Sequence, residues 1–214
     1  MTSDTDLPKI WFSRALDNTD GSYSIGHDKG TDVLPFRRAY RAFEPSPSPD
    51  AIPTCLFQLG ASFKPHSADA AKVIGGFIVV SEKMRDVLTQ FNLGSTQFYE
   101  CPIYASHEKT AVLPGRYAIL HVMEKKSAFV PEASENVHQG SLFDDRPVIP
   151  GEPWKPTYGK DLLAVRAAAA EGADLWADPD IKRRLFATDR LKRALDKARV
   201  KTRVLTFVPA RVLA

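Results

Sequence analysis

Hydrophobic and polar residues follow the same order in two segments of this chain. Residues 80–102 and residues 187–209 superimpose without a gap at a spacing of 107 positions. In each segment an apolar run is followed by apolar residues at i, i+3, i+4 and i+7, and then by a second short apolar run near a proline. The pattern predicts a strand–helix–strand unit that the chain uses twice.

Both predicted helices begin at a hydroxyl side chain. Ser81 precedes the first helix and Thr188 the second, and an acidic residue follows each, where it favours the positive end of a helix. Gly94 is expected to end the first helix in a left-handed conformation, at the position where the second copy has Lys201. The apolar stripes that we expect to be buried are Met84, Val87, Leu88 and Phe91 in the first copy and Leu191, Ala194, Leu195 and Ala198 in the second.

The remaining apolar runs complete a mixed α+β fold, in which two similar strand–helix–strand units pack on a mixed sheet. Further strands are predicted at residues 9–12, 55–59, 117–123 and 162–166, a short helix at 34–43 and a helical turn at 68–72. We assign residues 1–67 to N-terminal strands and loops of the same domain, 68–124 to the first repeat half, 125–161 to a long Pro-rich connecting loop, and 162–214 to the second repeat half.

Composition places the chain among ordinary globular proteins. It has 214 residues, of which 43% are hydrophobic and 26% charged. No apolar run approaches the roughly 20 residues of a membrane helix. Residues 1–6 lack the apolar core of a signal peptide, so we expect a cytoplasmic protein. In that compartment Cys55 and Cys101 are expected to be reduced, and we predict both to be buried.

Positive charge is concentrated near the C-terminus. The net charge is +3, but residues 182–203 hold ten basic and two acidic residues, so this segment carries +8 and the rest of the chain −5. The helical period turns Arg193 and Lys197 outward, with Arg190 on the flank. We predict these three residues to bind a partner. A solvated face and a nucleic-acid site are the alternatives, and the second is disfavoured because no aromatic residues interleave with the cations.

The chain contains none of the common catalytic or cofactor motifs, and no metal or cofactor site is predicted. It lacks a GxSxG elbow, a P-loop and a GxGxxG turn, and no two histidines have the spacing of a metal pair. His121 is expected to be a hydrogen-bonded core residue, and Asp178 and Asp180 to be surface turn residues. An enzyme that uses His121 with Asp144 or Asp145 is an alternative, but the predicted protein has no catalytic residues.

Two parts of the repeat resemble a known family. Phe77–Leu88 followed by Gln97–Tyr99 is similar to the Imm-eleven type of immunity proteins from bacterial polymorphic toxin systems, a group first described as a domain of unknown function. Gly172–Trp176, followed by the helix that begins at Thr188, is similar to a later part of these proteins. The resemblance covers about residues 68–212. It implies a cytoplasmic protein that binds and neutralises a cognate toxin or effector domain. The alternative is a nucleic-acid-binding or regulatory protein that uses the C-terminal basic face.

Overall fold

The computed structural model describes residues 7–17, 25–27, 32–59, 68–140, 149–157, 161–202 and 204–214. Three α-helices and fifteen strands lie in these ranges, which confirms the mixed α+β class. The helices are α1 (Leu34–Ala42), α2 (Glu82–Leu88) and α3 (Asp189–Lys197). The strands are β1 (Ile10–Ser13), β2 (Ile25–His27), β3 (Leu56–Gln58), β4 (Ala70–Lys72), β5 (Ile78–Ser81), β6 (Gln97–Glu100), β7 (Ile103–Tyr104), β8 (Tyr117–His121), β9 (Val137–His138), β10 (Lys155–Pro156), β11 (Ala164–Arg166), β12 (Leu175–Ala177), β13 (Leu185–Thr188), β14 (Phe207–Pro209) and β15 (Arg211–Leu213).

Two four-stranded sheets have the same spatial arrangement of strands. Their strand orders are β4-β5-β8-β6 and β12-β13-β1-β14, and all neighbouring strands are antiparallel. Helix α2 connects β5 to β6, and α3 connects β13 to β14. The twofold use of a strand–helix–strand unit is therefore confirmed. Each unit has its own antiparallel sheet rather than a place on one mixed sheet, because a further strand separates its two parallel strands.

The central strand of the second sheet comes from the start of the chain. Phe12 of β1 pairs with Phe186 and Val208, and Ile119 of β8 pairs with Val79 and Tyr99 in the same way. Phe12 and Ile119 are again 107 positions apart. The repeat thus includes β1, and a strand from the N-terminal segment completes the second half.

The strand registers correct the gap-free superposition of the two copies. Tyr99 and Val208 occupy the same sheet position although they are 109 positions apart, because α3 has nine residues and α2 has seven. After α3 the left-handed residue is Arg199 (φ 50°), whereas Lys201, which the gap-free superposition aligns with Gly94, does not have a positive φ. Gly94 is left-handed (φ 55°) as predicted, but it lies in the turn beyond α2 rather than at the helix end.

The two helices pack against each other in a core that both sheets share. The hydroxyls of Ser81 and Thr188 accept the N–H groups of Met84 and Leu191, at 3.3 and 3.5 Å, which confirms both N-caps. The residues buried in this core include Ile78, Val80, Met84, Leu88, Leu120, Leu175, Leu185, Ala187, Leu191 and Leu195. The predicted apolar stripes are thus buried at their centres, and Val87 and Phe91 lie at the edge.

Two predicted segments have a different structure. Residues 68–72 were expected to form a helical turn, but Ala70–Lys72 is β4, because it pairs with β5 along its whole length. Residues 125–161 are not a continuous loop: they contain a 3-10 helix at Pro131–Ala133 and the β9–β10 pair. Phe129 is buried with Trp176 and other residues of the second sheet, so this segment covers that sheet. Residues 141–148 and 158–160 of the segment lie outside the described ranges.

Candidate partner-binding surface

Arg190 is the first of the three basic residues predicted on the outer side of α3, and it forms an ion pair that stabilises the fold. Arg190 donates from Nη2 to Oδ2 of Asp174 at 2.9 Å and from Nε to Oδ1. Asp174 is fully buried, and its carboxylate also accepts the Thr188 hydroxyl and the backbone N–H of Asn92 (3.1 Å). Arg190 is therefore committed to the fold, although its side chain is 63% exposed.

Asp69 repeats this arrangement in the first unit. Its carboxylate accepts the Ser81 hydroxyl at 2.8 Å, the backbone N–H of Lys201 at 2.7 Å and the Lys83 ammonium at 3.4 Å. Each aspartate thus joins the N-cap of its own helix to the backbone just beyond the other helix. We call Asp69 and Asp174 the paired aspartates. They connect the two halves reciprocally.

Arg193 and Lys197, unlike Arg190, have no ion pair with a buried carboxylate in the described part of the chain. Arg193 is 72% exposed and forms an i, i+4 ion pair with Asp189 at 2.7 Å, and the same carboxylate accepts the Trp11 indole N–H. Such a surface pair contributes only about 0.3–0.5 kcal/mol, so a competing carboxylate can take the guanidinium. Lys197 is exposed and has no carboxylate partner within the described ranges.

Much of the predicted basic face is neutralised in the folded chain. Nine of the ten basic residues in 182–203 are described, and six of them have a carboxylate within 4.0 Å: Lys182, Arg183, Arg184, Arg190, Lys192 and Arg193. Four of the acids come from elsewhere in the chain. The cations that keep no carboxylate partner among the described residues are Lys197, Arg199 and Lys201, at and after the end of α3. The unpaired positive charge of this segment is therefore smaller than its formal charge of +8 suggests.

His121 is enclosed by aromatic rings. It is fully buried, stacks on Tyr40 at 5.0 Å between ring centroids and meets the edge of Phe36 at 5.4 Å. Its core position was predicted correctly, but neither ring nitrogen has a hydrogen-bond partner of normal geometry among the described residues. Burial lowers the pKa of His121 to about 4, and the backbone of Ala39 opposes this shift. A ring enclosed in this way has no access to a substrate.

The buried His121 predicts an acid-sensitive fold. Between pH 6.5 and pH 4 the unfolded chain protonates this histidine while the folded chain keeps it neutral, so stability falls as the pH is lowered through this window. The loss expected from the shift is roughly 2–4 kcal/mol. Urea unfolding of the His121→Phe variant should show a flatter pH dependence than the unchanged chain. The control variant His107→Gln, at an exposed histidine, should keep the pH dependence of the unchanged chain. If stability falls equally with pH in His121→Phe and in the unchanged chain, this assignment is wrong.

One of the two acidic clusters, Asp178 with Asp180, lies in the described part of the chain. Asp178 was expected on the surface, but it is buried and accepts the N–H groups of Ala128 and Phe129, each at 2.7 Å. Burial raises the pKa of this carboxyl group. Asp144 and Asp145 lie outside the described ranges. Where the chain is described, no group of three or more His, Cys, Asp or Glu side chains is placed to hold a metal ion.

Cys55 and Cys101 are free and buried, as predicted. Burial raises the pKa of the Cys101 thiol to about 12, with a smaller contribution from Cys55. A thiol with so high a pKa is a poor nucleophile. No helix in the described part of the chain has the length and apolar character that crossing a membrane requires.

The paired aspartates were missed by the sequence analysis, although a signal was present. The dipeptide Ala-Asp precedes the first strand of each unit, at residues 68–69 and 173–174. These dipeptides are 105 positions apart, not 107, so the gap-free superposition did not align them. No family model matches the chain, and the curated proteins compared with it include no similar sequence. The resemblance to immunity proteins therefore stays a prediction.

Proposed function

We propose that this protein is an immunity protein that binds a cognate bacterial toxin or effector domain and neutralises it by occluding its active surface. The proposal rests on the family resemblance and on one structural observation. Arg193 at the outer face of α3, with Lys197, Arg199 and Lys201 at its end, forms an exposed cationic surface in which Arg193 alone has a carboxylate partner among the described residues, Asp189. We call these four residues the α3 surface.

The α3 surface suits an acidic protein partner. Complementary charges across an interface accelerate association and exclude partners of the wrong charge. Helix α3 is held by its N-cap and by the Arg190–Asp174 ion pair, so Arg193 and Lys197 are displayed on a fixed element. Binding to such an element loses less conformational entropy than binding to a loop. The protein would act by covering its partner and would need no catalytic group.

Co-expression tests the proposal directly. The product of the adjacent gene should arrest growth when expressed alone, and co-expression of this protein should restore growth and yield a co-purified pair. If the two proteins neither co-purify nor restore growth together, the proposed function fails.

Reversing charge on the α3 surface should weaken the complex. The Arg193→Glu/Lys197→Glu double variant is expected to raise the Kd for that partner by about tenfold or more, chiefly through slower association. Surface plasmon resonance at low and at physiological salt measures both rates. The Arg38→Glu/Arg116→Glu double variant makes the same change of net charge at exposed positions outside the α3 surface. Equal weakening by both double variants would place the interface elsewhere.

A further inference from the structure

A cleft of about 660 Å³ lies beside the end of α1, and its lining carries an excess of positive charge. It shares no residue with the α3 surface. Its basic lining residues are Arg41, Lys72, Lys182 and Arg183, its acidic ones are Asp17 and Asp178, and Leu16, Tyr40, Phe43 and Ile181 contribute apolar side chains. We call it the cationic cleft. Its volume lies within the range of small-molecule sites, which combine apolar walls with a few polar groups.

The acids of the cationic cleft are already engaged. Asp17 accepts Arg183 at 3.4 Å and also the buried Arg184. Asp178 accepts three backbone N–H groups and is fully buried. Neither carboxylate is therefore available to neutralise Arg41, which has no carboxylate partner within the described ranges.

Arg41, Lys72 and Arg183 line the same cleft, and their positive charges act on one another. Burial lowers the pKa of Arg41, and the positive charges of Arg37 and Arg183 lower it further. Burial also lowers the pKa of Lys72, where Arg183 and Arg41 add to the effect and Asp17 opposes it. The Lys72 ammonium donates to the carbonyl oxygen of Leu16 at 2.8 Å, which fixes its place at the cleft wall. An oxyanion bound beside Arg41 would relieve the repulsion that this guanidinium experiences from its basic neighbours.

The backbone at Arg183 adds an independent observation. Arg183 has φ 59°, in the left-handed region that favours glycine. An arginine in this conformation carries backbone strain, and such strain tends to occur at functional positions. Arg183 also lines the cationic cleft, so the strained residue belongs to the candidate site.

We propose that the cationic cleft binds a small organic anion, with a phosphate or carboxylate group held between Arg41 and Arg183 and an apolar body on the floor of the cleft. Guanidinium groups suit this task because they donate two parallel hydrogen bonds to an oxyanion. By the floor we mean the apolar lining residues Leu16, Tyr40 and Phe43. This inference does not depend on the proposed function, because it involves a different surface and a ligand of a different class.

Titration of the full-length chain with three probes tests the proposal. Phenyl phosphate, inorganic phosphate and benzoate are added at constant ionic strength, with sodium chloride as the blank, and binding is followed by calorimetry and by the Tm. We expect phenyl phosphate to bind more tightly than inorganic phosphate because it also covers the apolar floor. If benzoate also binds, the cleft is a general oxyanion site. If phenyl phosphate binds and benzoate does not, the site is selective for phosphate. No binding by any probe beyond the chloride blank would overturn the proposal.

Substitution of the two arginines locates the site. The Arg41→Gln and Arg183→Gln variants should each bind phenyl phosphate about tenfold more weakly. The Arg116→Gln variant removes an exposed arginine that does not line the cleft and should bind as the unchanged chain does. Without a probe, Arg41→Gln should keep or raise the Tm, because it removes a like charge. Unchanged affinity in Arg41→Gln, or a lower Tm without a probe, would show that Arg41 has no such role.

Discussion

Replacing Asp174 with alanine is expected to lower the free energy of unfolding by about 3–5 kcal/mol. The carboxylate is fully buried and accepts the Arg190 guanidinium, the Thr188 hydroxyl and the N–H of Asn92. Alanine leaves the hydroxyl and the N–H without an acceptor in a site that water cannot easily enter. An unsatisfied buried polar group costs about 1–3 kcal/mol, and two such groups account for most of the expected loss.

A comparison of three variants distinguishes this mechanism from a general effect of charge. Asp174→Ala and Arg190→Met should both be costly, the first because it leaves two buried donors without an acceptor and the second because it leaves a buried carboxylate without its countercharge. Asp180→Ala removes an exposed acid from the same half and should change stability by no more than about 0.5 kcal/mol. Urea unfolding at pH 7 measures all three. If Asp174→Ala costs no more than Asp180→Ala, the paired aspartates do not connect the halves.

Hydrogen exchange gives a local readout of the same connection. The N–H of Asn92 is bound by Asp174, and the N–H of Lys201 by Asp69. In Asp174→Ala the Asn92 amide should lose protection first, while the Lys201 amide should remain protected until the whole protein unfolds. Equal loss at both amides would mean that the substitution acts by global destabilisation alone.

The elements that the sequence predicted well are those with a local cause. The N-caps Ser81 and Thr188 were recognised because a cap needs only a hydroxyl beside a helical apolar stripe. The role of β1 was not predictable in this way. It pairs with strands more than 170 positions away, and nothing in its own residues specifies that partner.

The errors have physical reasons. Residues 70–72 are Ala-Ala-Lys, which favours a helix, but pairing with β5 overrides this propensity. Arg190 was placed by the helical period on the outer face, and it does lie there. Its partner Asp174 lies 16 positions earlier, outside α3 and beyond the i, i+3 and i, i+4 spacings of a helix. The ion pair therefore appears only in the folded structure. The net charge of +8 in 182–203 likewise overstates the unpaired positive charge of the folded surface, because most of the acids that pair with these cations lie outside the segment.

The two halves share their core, so substitutions in either helix should destabilise the whole protein. Leu88 of α2 and Leu195 of α3 occupy equivalent positions and belong to one buried cluster. Only Leu191 and Leu195 are buried in the nine residues of α3, so the docking of this helix depends on them. Leu195→Ala and Leu88→Ala should each lower the free energy of unfolding by about 2–5 kcal/mol.

Unfolding of the two leucine variants shows whether this core is cooperative. Each variant should unfold in a single transition with an unchanged m value, because loss of either helix exposes the shared cluster. The double variant should deviate from additivity by about 0.5–3 kcal/mol, since both side chains border the junction of α2 and α3. Val87→Ala is the control: Val87 is only partly buried at the edge of the same core, so this variant should lower the free energy of unfolding by less than either leucine variant. Two separate transitions in Leu195→Ala would instead mean that the halves fold independently, and the reciprocal contacts of the paired aspartates would then contribute little to their association.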